Sequence, residues 1–444
     1  MTALAGARPR ASPGDRVRRL EWWGAGMVLL LQSGAIFPLL LSSPDGSLDG
    51  HARSLLRLVT LLAAGLSAIL LAAHYRQALK AAGRGLHMAA LIALPFVSVI
   101  WSISPSSTLK SAISLGLSML LPVFIAIRFT PRQLLILAGA VLGACMALSL
   151  GMIAVMPGRA FMPSEPELRG IFLHKNVLGW AATHCCIIAA AMMRDRDRRL
   201  ARLGALLLVA SLACLLLSGS ATGLLSVGLG LVIAIFHIVL ARHRGLGRTV
   251  TVLVFLQLVG LLLIFLGSFL VPMLEALGKD ATLTGRVPLW RLVDHEIAHH
   301  LLLGFGYEAF WTEGNDAAWE IWSRIGWQAP HSHNGYRDIM LSLGLLGLIL
   351  LAVMVVRALT QGTRLNLARP DESWLWLNVL AGVFLFMNLT ESVFLDPGAF
   401  PWTLFATAVL MFAVHAPTLR PAPAGLPHLV GAATRSVGSG PGFR

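Results

Sequence analysis

Four short groups of polar residues stand in an otherwise apolar chain, and their side chains could carry chemistry. The first is RGIFLHKN at 169–176, which brings Arg169, His174 and Lys175 to the end of an apolar stretch. Each such cation costs about 2.5 to 3.5 kcal/mol if it is placed deep in a membrane. An anionic ligand would offset that cost. The alternative is that Arg169 snorkels toward lipid headgroups without any ligand.

The second group is Thr284-Gly285-Arg286, which lies just before Pro288. An arginine at a helix start can present its fork of donors to phosphate oxygens, beside free backbone amides. The pattern alone is more often that of an ordinary solvated arginine.

The third group is HSHNGY at 331–336, in which nine residues separate Asn334 from a Gly-x-x-Gly string at 344–347. Glycines at that spacing allow close packing of a membrane helix, with His333 at its outer mouth. A neutral imidazole there could accept a proton from a sugar hydroxyl. The alternative is an interfacial histidine that only caps the helix.

The fourth group is NLTES at 388–392, which carries Glu391 close to the end of an apolar stretch. A carboxylate in such a place usually faces the interior of a helix bundle and pairs with a cation. We expect Glu391 to pair with Arg169 or Arg286.

The elements that must position these groups are membrane helices. Of 444 residues, 56% are hydrophobic and only 13% are charged, which excludes a soluble protein. Spanning segments must satisfy their own backbone amides, and no alternating barrel pattern is present, so we predict an all-α fold with about twelve transmembrane helices. The apolar stretches are 22–41, 55–73, 86–101, 111–127, 133–156, 171–193, 203–218, 220–241, 249–272, 334–356, 374–391 and 399–416. Those around Pro95 and Pro122 are short and could be tilted or broken.

Basic residues set the predicted orientation. Placing both termini inside puts most Lys and Arg in cytoplasmic segments, as the positive-inside rule requires. The net charge of +14 is therefore spread over short loops and indicates no nucleic-acid partner. The predicted organisation is a cytoplasmic segment at 1–21, helices 1–9 at 22–272, a large periplasmic loop at 273–333, helices 10–12 at 334–416 and a disordered cytoplasmic tail at 417–444.

The first apolar stretch follows a basic start and lacks a small-residue cleavage site, so we interpret it as a retained helix rather than a signal peptide. All four cysteines lie in apolar stretches and predict no disulfide framework.

The loop at 273–333 has a helical pattern of its own. Trp290, Val293, Ile297 and Leu301 follow Pro288 at helical spacing and predict a short amphipathic helix that rests on the bundle. Aromatic residues follow it. They suit an interfacial belt or, as the alternative, a platform for sugar rings.

The same helix contains a His-Glu-x-x-His string at His295, Glu296 and His299, which is the signature of a zinc metalloprotease. Five-residue patterns of this kind arise by chance, and the spacing sets no third ligand. A lipid-glycan flippase or another transporter is a further alternative, because it would share the helix count and a cationic outer site.

Six strings occur in the order seen in a known superfamily: RGIFLHKN, LSGSATGLL, TGRVPLW, LLGFGYEAFW, HSHNGYRDIMLSLGLLGL and NLTES. Between about 165 and 395 the chain resembles the O-antigen ligase and Wzy-type polysaccharide polymerase superfamily, especially its exopolysaccharide polymerase branch. The H-N-x9-G-x-x-G pattern around His333 is the most specific part of the resemblance.

The resemblance implies a GT-C-like glycosyltransferase that needs no metal or other cofactor and uses a polyprenyl-diphosphate-linked glycan as donor. It also implies that Arg169 and Arg286 bind the diphosphate and that His333 activates or orients the acceptor hydroxyl. A base with a pKa near the usual value of about 6.5 would suit that role. Residues that would support substrate binding are Lys175, His174, His331, Asn334 and Glu391.

The superfamily includes polymerases and ligases, which transfer glycan to lipid A core or protein. The HKN and GFGYEAFW strings favour the polymerase branch. We expect the site at the periplasmic face of a bacterial inner membrane, in contact with lipid, a glycan donor and a glycan acceptor. Partners could include a flippase and a chain-length regulator. The central prediction is that Arg169, Arg286 and His333 meet in one pocket.

Overall fold

The computed structural model describes residues 13–43, 47–163, 165–268 and 286–418. Within these ranges the regular elements are helices, and the β-structure consists of two isolated bridges, Ala35 with Phe172 and Phe161 with Leu168. The all-α prediction is confirmed for the described part of the chain.

The first nine helices lie between residues 13 and 160. They are α1 (Pro13–Gln32), α2 (Phe37–Leu41), α3 (Gly50–Ala72), α4 (Tyr75–Arg84), α5 (Leu86–Val97), α6 (Pro105–Ser118), α7 (Leu120–Arg128), α8 (Pro131–Val155) and α9 (Pro157–Ala160). The remaining helices are α10 (Lys175–Met193), α11 (Arg198–Leu217), α12 (Ala221–Arg242), α13 (Leu246–Ser268), α14 (Arg286–His299), α15 (Asp316–Ile325), α16 (Gly335–Ala368), α17 (Trp374–Met387) and α18 (Phe400–His415).

Fewer of these helices than expected are long enough to cross a membrane. In the described ranges eight are long and apolar enough, or nine if α4 and α5, bent by 94° at their junction, form one span. Two shorter apolar segments are the part of α13 from Leu246 to Leu261 and the helix α17, Trp374–Met387. The count of about twelve is therefore not confirmed, and the likeness to a GT-C fold stays a prediction.

Local breaks account for part of the difference. The stretch expected at 22–41 is not one helix, because α1 begins at Pro13 and ends at Gln32. Gly34 and Ile36 follow with φ of 71° and 67°, in a region that does not continue a right-handed helix. Pro95 lies within α5, and the bend falls at the α4–α5 junction instead. The tail beyond residue 418 lies outside the described residues.

Burial separates central from peripheral helices. In the most apolar window, 78% of the residues at Phe400–Thr418 and 67% of those of α10 are buried, compared with 17% for α3 and 28% for α12. Therefore α10 and α18 form the protein core, and α3 and α12 present most of their surface to lipid.

The helix α16 is broken near its start by the backbone of another segment. Gly344 has φ of 61°, and the Phe305 N–H donates to the Leu341 carbonyl at 2.7 Å. A Cβ on Gly344 would lie 2.4 Å from the Leu302 carbonyl carbon, and one on Gly304 would lie 2.5 Å from the Leu341 oxygen. The Gly-x-x-Gly string predicted close packing of a membrane helix. At its first glycine, the segment that packs closely is a loop and not a neighbouring helix.

The inserted loop, residues 301–310, is held on its other side by the segment that joins α5 to α6. The Trp101 Nε1–H donates to the Leu303 carbonyl at 3.0 Å. The Tyr307 N–H donates to Ser98 Oγ at 3.1 Å, and the Thr108 hydroxyl donates to the Tyr307 carbonyl at 2.8 Å. Backbone and side-chain bonds on two sides therefore fix the course of this loop.

The predicted helix near Pro288 is confirmed as α14. Leu289 and Val293 on its inner face are fully buried and pack with Phe305, Phe310 and Trp322 in a small core formed mostly by residues 289–329. Those three rings are therefore core residues, whereas Trp319 and Trp327 are 46% and 39% exposed, and for these two the belt and the sugar platform stay predictions.

Candidate functional site

The four polar groups lie where several helix ends meet. The Gly335 N–H, at the start of α16, donates to the carbonyls of Asn388 and Glu391 just after α17, each at 2.9 Å. The hydroxyls of Thr222, in the first turn of α12, and Thr390 lie 3.1 Å apart. The starts of α12 and α16 and the end of α17 thus share one end of the bundle.

Arg286 forms an ion pair with Glu391. Its Nη2 lies 3.2 Å from Glu391 Oε1, and the side chains are 17% and 4% exposed. Burial raises the pKa of Glu391, although the charge of Arg286 acts in the opposite direction. The prediction that Glu391 pairs with one of the two arginines is confirmed, with Arg286 as the partner. Thr284 and Gly285 lie outside the described residues.

His331 and His333 make an edge-to-face contact with each other, within electrostatic reach of Arg286. Their ring centroids are 4.2 Å apart, and the His333 N–H donates to His331 Nδ1 at 3.2 Å. Burial lowers the pKa of His333 to about 3, with further lowering by the charges of His331, Arg286 and His174. The imidazole is thus neutral at pH 7, and the expected base with a pKa near 6.5 is not found.

Asn334 caps α16 and thereby positions His333. Its Oδ1 accepts from the Tyr336 and Arg337 N–H groups, each at 3.1 Å, and its Nδ2 donates to the Leu389 carbonyl at 2.9 Å. Both polar atoms of this amide are therefore used within the protein. Its predicted contact with substrate stays a prediction.

Sequence reasoning missed Asp338, which joins three parts of the site. Its Oδ1 accepts from the Ser332 N–H at 3.0 Å and from Trp311 Nε1–H at 3.2 Å, and its Oδ2 accepts from the Ser392 hydroxyl. An acidic residue in the first turn of a helix, four positions after an N-cap asparagine, was the available signal.

Arg169 forms a second part of the site with a different electrostatic character. It is 2% exposed, its Nε–H donates to the Arg159 carbonyl at 3.1 Å, and its Nη1 is buried without a hydrogen-bond partner in the described part of the chain. Burial and the charge of Arg159 lower its pKa. A buried guanidinium with an unused donor is suited to an anionic ligand.

Lys175 is not a free cation. Its Nζ forms an ion pair with Glu165 and lies 3.6 Å from Glu167 Oε1. Both carboxylates belong to the loop that precedes α10, so this pairing holds the loop against the helix. The predicted role of Lys175 in substrate binding therefore requires that it exchange one of these partners for the ligand.

His174 connects the two parts of the site. Its Nδ1 accepts from the Asn176 N–H at 3.1 Å and caps α10. Burial lowers its pKa, and Arg169 contributes to the lowering. His174 in turn acts on the pKa of His333. In the described residues, direct contacts join Arg286 to Glu391 and His331 to His333, the charge of Arg286 acts on both histidines, and the link to Arg169 is also electrostatic, through His174.

Two further carboxylates were missed: Glu308, in the loop 301–310, and Asp396, after the NLTES string. Protein packed around Glu308, whose side chain is nevertheless accessible to water, raises its pKa to about 7, and the negative charges of Asp396 and Asp338 add to the rise. Burial also raises the pKa of Asp396. A glutamate between aromatic residues in GFGYEAFW was the only sequence signal, and its position depends on the course of the loop.

The His-Glu-x-x-His string does not form a metal centre. His295 and His299 lie on α14 with their Nε2 atoms 3.3 Å apart. In the ranges that the structure describes, no group of three or more His, Cys, Asp or Glu side chains is arranged to hold a metal ion. A third ligand is thus missing there, and a metalloprotease is not supported.

A cavity of about 740 Å³ lies at the other end of α10. Its lining includes Ile187, Arg194, Asp371 and Trp376, and none of the candidate site residues. The candidate site is therefore separate from this cavity.

Two comparisons with known proteins show what this chain resembles. Residues 206–352, which include Arg286 and His333, match the family model described as O-antigen ligase. The chain is also 29% identical over 306 residues to the exopolysaccharide production protein ExoQ of Rhizobium meliloti (strain 1021). This match covers 66% of this chain and 69% of that protein. The apolar helices and this family fit a multi-pass protein of the bacterial inner membrane. The resemblance of this chain to the O-antigen ligase and Wzy-type polysaccharide polymerase superfamily is thereby confirmed.

Proposed function

We propose that this protein is a metal-independent glycosyltransferase that polymerises polyprenyl-diphosphate-linked oligosaccharide units into an exopolysaccharide. The observation that carries the proposal is the group formed by the Arg286–Glu391 ion pair and the neighbouring rings of His331 and His333, on which the charge of Arg286 acts. It lies largely in the region that matches the O-antigen ligase model. The name of the similar protein ExoQ, an exopolysaccharide production protein, supports the product class.

The two arginines suit the donor diphosphate in different ways. Arg169 has a buried Nη1 donor without a partner in the described ranges and can offer it to a phosphate oxygen. Arg286 is oriented by its ion pair with Glu391, whose negative charge compensates that of the guanidinium. Donors placed where charge develops on the departing diphosphate lower the barrier to transfer.

His333 suits the acceptor. Because its pKa is lowered to about 3, the ring is neutral and can accept a hydrogen bond from a sugar hydroxyl. The hydroxyl oxygen then attacks the anomeric carbon of the donor sugar. The bond from that carbon to the diphosphate breaks, its electron pair leaves on the lipid diphosphate, and the hydroxyl proton passes to a base on the acceptor side.

The position of the site suits a lipid-linked substrate. It lies at the ends of α12, α16 and α17, where a glycan can remain in water while its polyprenyl chain lies in hydrocarbon. By the charge distribution this end faces the periplasm, with both termini cytoplasmic. Membrane lipid, the lipid-linked donor and a glycan acceptor are then the direct partners, and a flippase and a chain-length regulator would act before and after it.

The second candidate is a ligase that transfers the glycan to lipid A core or to protein. The description of the matching family model favours it. Incubation of purified protein with lipid-linked oligosaccharide distinguishes the two. A polymerase lengthens the lipid-linked chain without any other acceptor, and a ligase requires the separate acceptor.

The test of transferase activity uses Arg286→Ala and His333→Ala in the same assay, with His295→Ala as the matched control on α14. We expect each site variant to lose at least about 100-fold in transfer while protein levels hold, and the control and a chelator to have no effect. Wild-type transfer by both site variants would remove the proposal. Inhibition by the chelator would remove its metal-independent part.

A further inference from the structure

Backbone strain is concentrated at the candidate site. The described part of the chain has five non-glycine residues with positive φ, and three of them are Glu308, His333 and Leu395, with φ of 54°, 54° and 56°. Such residues persist only where the surrounding structure holds them, and they cluster at functional sites. His333 is already part of the site. The segments around Glu308 and Leu395 are therefore the next candidates for a part of the site.

One hydrogen bond joins the segment around Glu308 to the segment around Leu395. The buried Tyr307 hydroxyl donates to the Leu395 carbonyl. Glu308 follows Tyr307 and Asp396 follows Leu395, so the same bond fixes both carboxylates relative to each other. The loop 301–310 is held from the other side as well, through the contacts of Tyr307 with Ser98 and Thr108.

Charged groups surround Glu308 from several elements. Asp396 acts from the segment after α17 and Asp338 from α16, and both raise the pKa of Glu308 in addition to burial. His331 responds to the same two aspartates and to Arg286. The segment 98–108, which packs on the loop, contributes no titratable side chain.

The other carboxylates near Glu308 have partners. Asp338 accepts hydrogen bonds from Ser332, Trp311 and Ser392, and Asp396 accepts one from the Gly398 N–H. In the described residues the carboxyl of Glu308 has no such partner, and its side chain is accessible to water although protein surrounds it. It is therefore available to a ligand bound at the candidate site.

We infer that Glu308 is the acceptor-side base of this transferase, and that it binds the attacking sugar hydroxyl and takes its proton. The inference rests on the proposed function and adds a residue to it. As the bond between the acceptor oxygen and the anomeric carbon forms, the bond to the diphosphate breaks and its electron pair leaves on the lipid carrier. The hydroxyl proton passes to the Glu308 carboxylate, which later releases it to water.

This assignment divides the work with His333. A neutral imidazole with a pKa of about 3 is too weak a base to hold the proton, but it can orient the hydroxyl. A carboxyl with a pKa of about 7 has the proton affinity that general base catalysis requires near neutral pH.

The test measures single-turnover transfer from lipid-linked oligosaccharide between about pH 5 and about pH 9. The variants are Glu308→Gln, Glu308→Asp and the matched control Glu313→Gln, three residues beyond the loop 301–310. Binding of polyprenyl diphosphate and the thermal midpoint are measured in parallel. We expect the wild-type rate to fall as pH falls below about 7, because the base becomes protonated.

Glu308→Gln should lose about 100-fold or more in rate and lose this pH dependence, while polyprenyl diphosphate binding holds and the thermal midpoint does not fall. Glu308→Asp should restore part of the rate, and Glu313→Gln should match wild type. A wild-type rate and pH profile in Glu308→Gln would overturn the inference. If that variant does not fold, a wild-type profile without an inflection near about pH 7 overturns it instead.

The arms separate this inference from the proposed function. Loss of transfer in Arg286→Ala together with full activity in Glu308→Gln overturns only the role of Glu308. Wild-type transfer in Arg286→Ala and His333→Ala overturns the transferase itself.

Discussion

Arg286 Nη2 lies 3.2 Å from Glu391 Oε1, and this contact joins the start of α14 to the segment after α17. The pair is largely buried, so each charge depends on the other for compensation. Arg286 is consequently held in one orientation before any substrate arrives. Arg169, which has no carboxylate partner in the described residues, is prepared for an anion in a different way.

Glu391→Gln should therefore impair both stability and transfer. Removal of one partner of a buried pair leaves the other charge uncompensated, at a cost of up to about 3 to 5 kcal/mol for complete burial. Since Arg286 is 17% exposed, we expect the lower end of that range. Thermal unfolding in detergent and the transfer rate measure the two effects. Glu165→Gln, which breaks a pair with a 47% exposed carboxylate, should change the melting temperature little, and an equal loss there would contradict the prediction.

Arg169→Lys should abolish most transfer. A lysine retains the charge but cannot present two parallel donors to a phosphate group or occupy the same buried position. The measurement is the rate of transfer at saturating donor, with Arg324→Lys on the exposed face of α15 as the control. Full activity of Arg169→Lys would show that the residue supplies only a positive charge.

Gly344→Ala should destabilise the protein and displace the loop 301–310. The backbone conformation at Gly344, with φ of 61° and ψ of −159°, is almost restricted to glycine and costs a larger residue about 1 to 3 kcal/mol. The new Cβ would also lie 2.4 Å from the backbone of Leu302. Thermal unfolding and proteolysis of the loop report the change. Gly314→Ala, where a Cβ meets nothing within 4 Å, should leave both unchanged.

Glu308→Gln should make the protein more stable than wild type at alkaline pH. The folded-state pKa of about 7 is above that of an unfolded chain, so the folded protein holds a proton that the unfolded chain releases. The stability of the wild type then falls as pH rises from about 4 to about 7, and glutamine avoids this loss. Melting temperatures across this range provide the measurement. A difference that grows toward acid pH would have the wrong sign.

The sequence by itself determined that lipid surrounds most of the chain and that the fold is all-α. With 56% hydrophobic and 13% charged residues the chain must satisfy its backbone within helices in lipid, and the all-α prediction needed nothing else. It also located the four polar groups, because strings such as HSHNGY at 331–336 and NLTES at 388–392 depart from the apolar composition around them. The helix at α14 followed from local periodicity alone.

Only the tertiary structure decided which of these groups meet. The pairing of Glu391 with Arg286 spans 105 positions of the chain, and a pairing with Arg169 was equally compatible with composition and spacing. The neutral state of His333 and the raised pKa of Glu308 depend on charges from other segments. The helix count was overestimated because a continuous apolar stretch does not show where the backbone turns, as it does after Gln32 and between α4 and α5. Periodicity and composition are local properties, whereas charge compensation and burial are produced by contacts between distant residues.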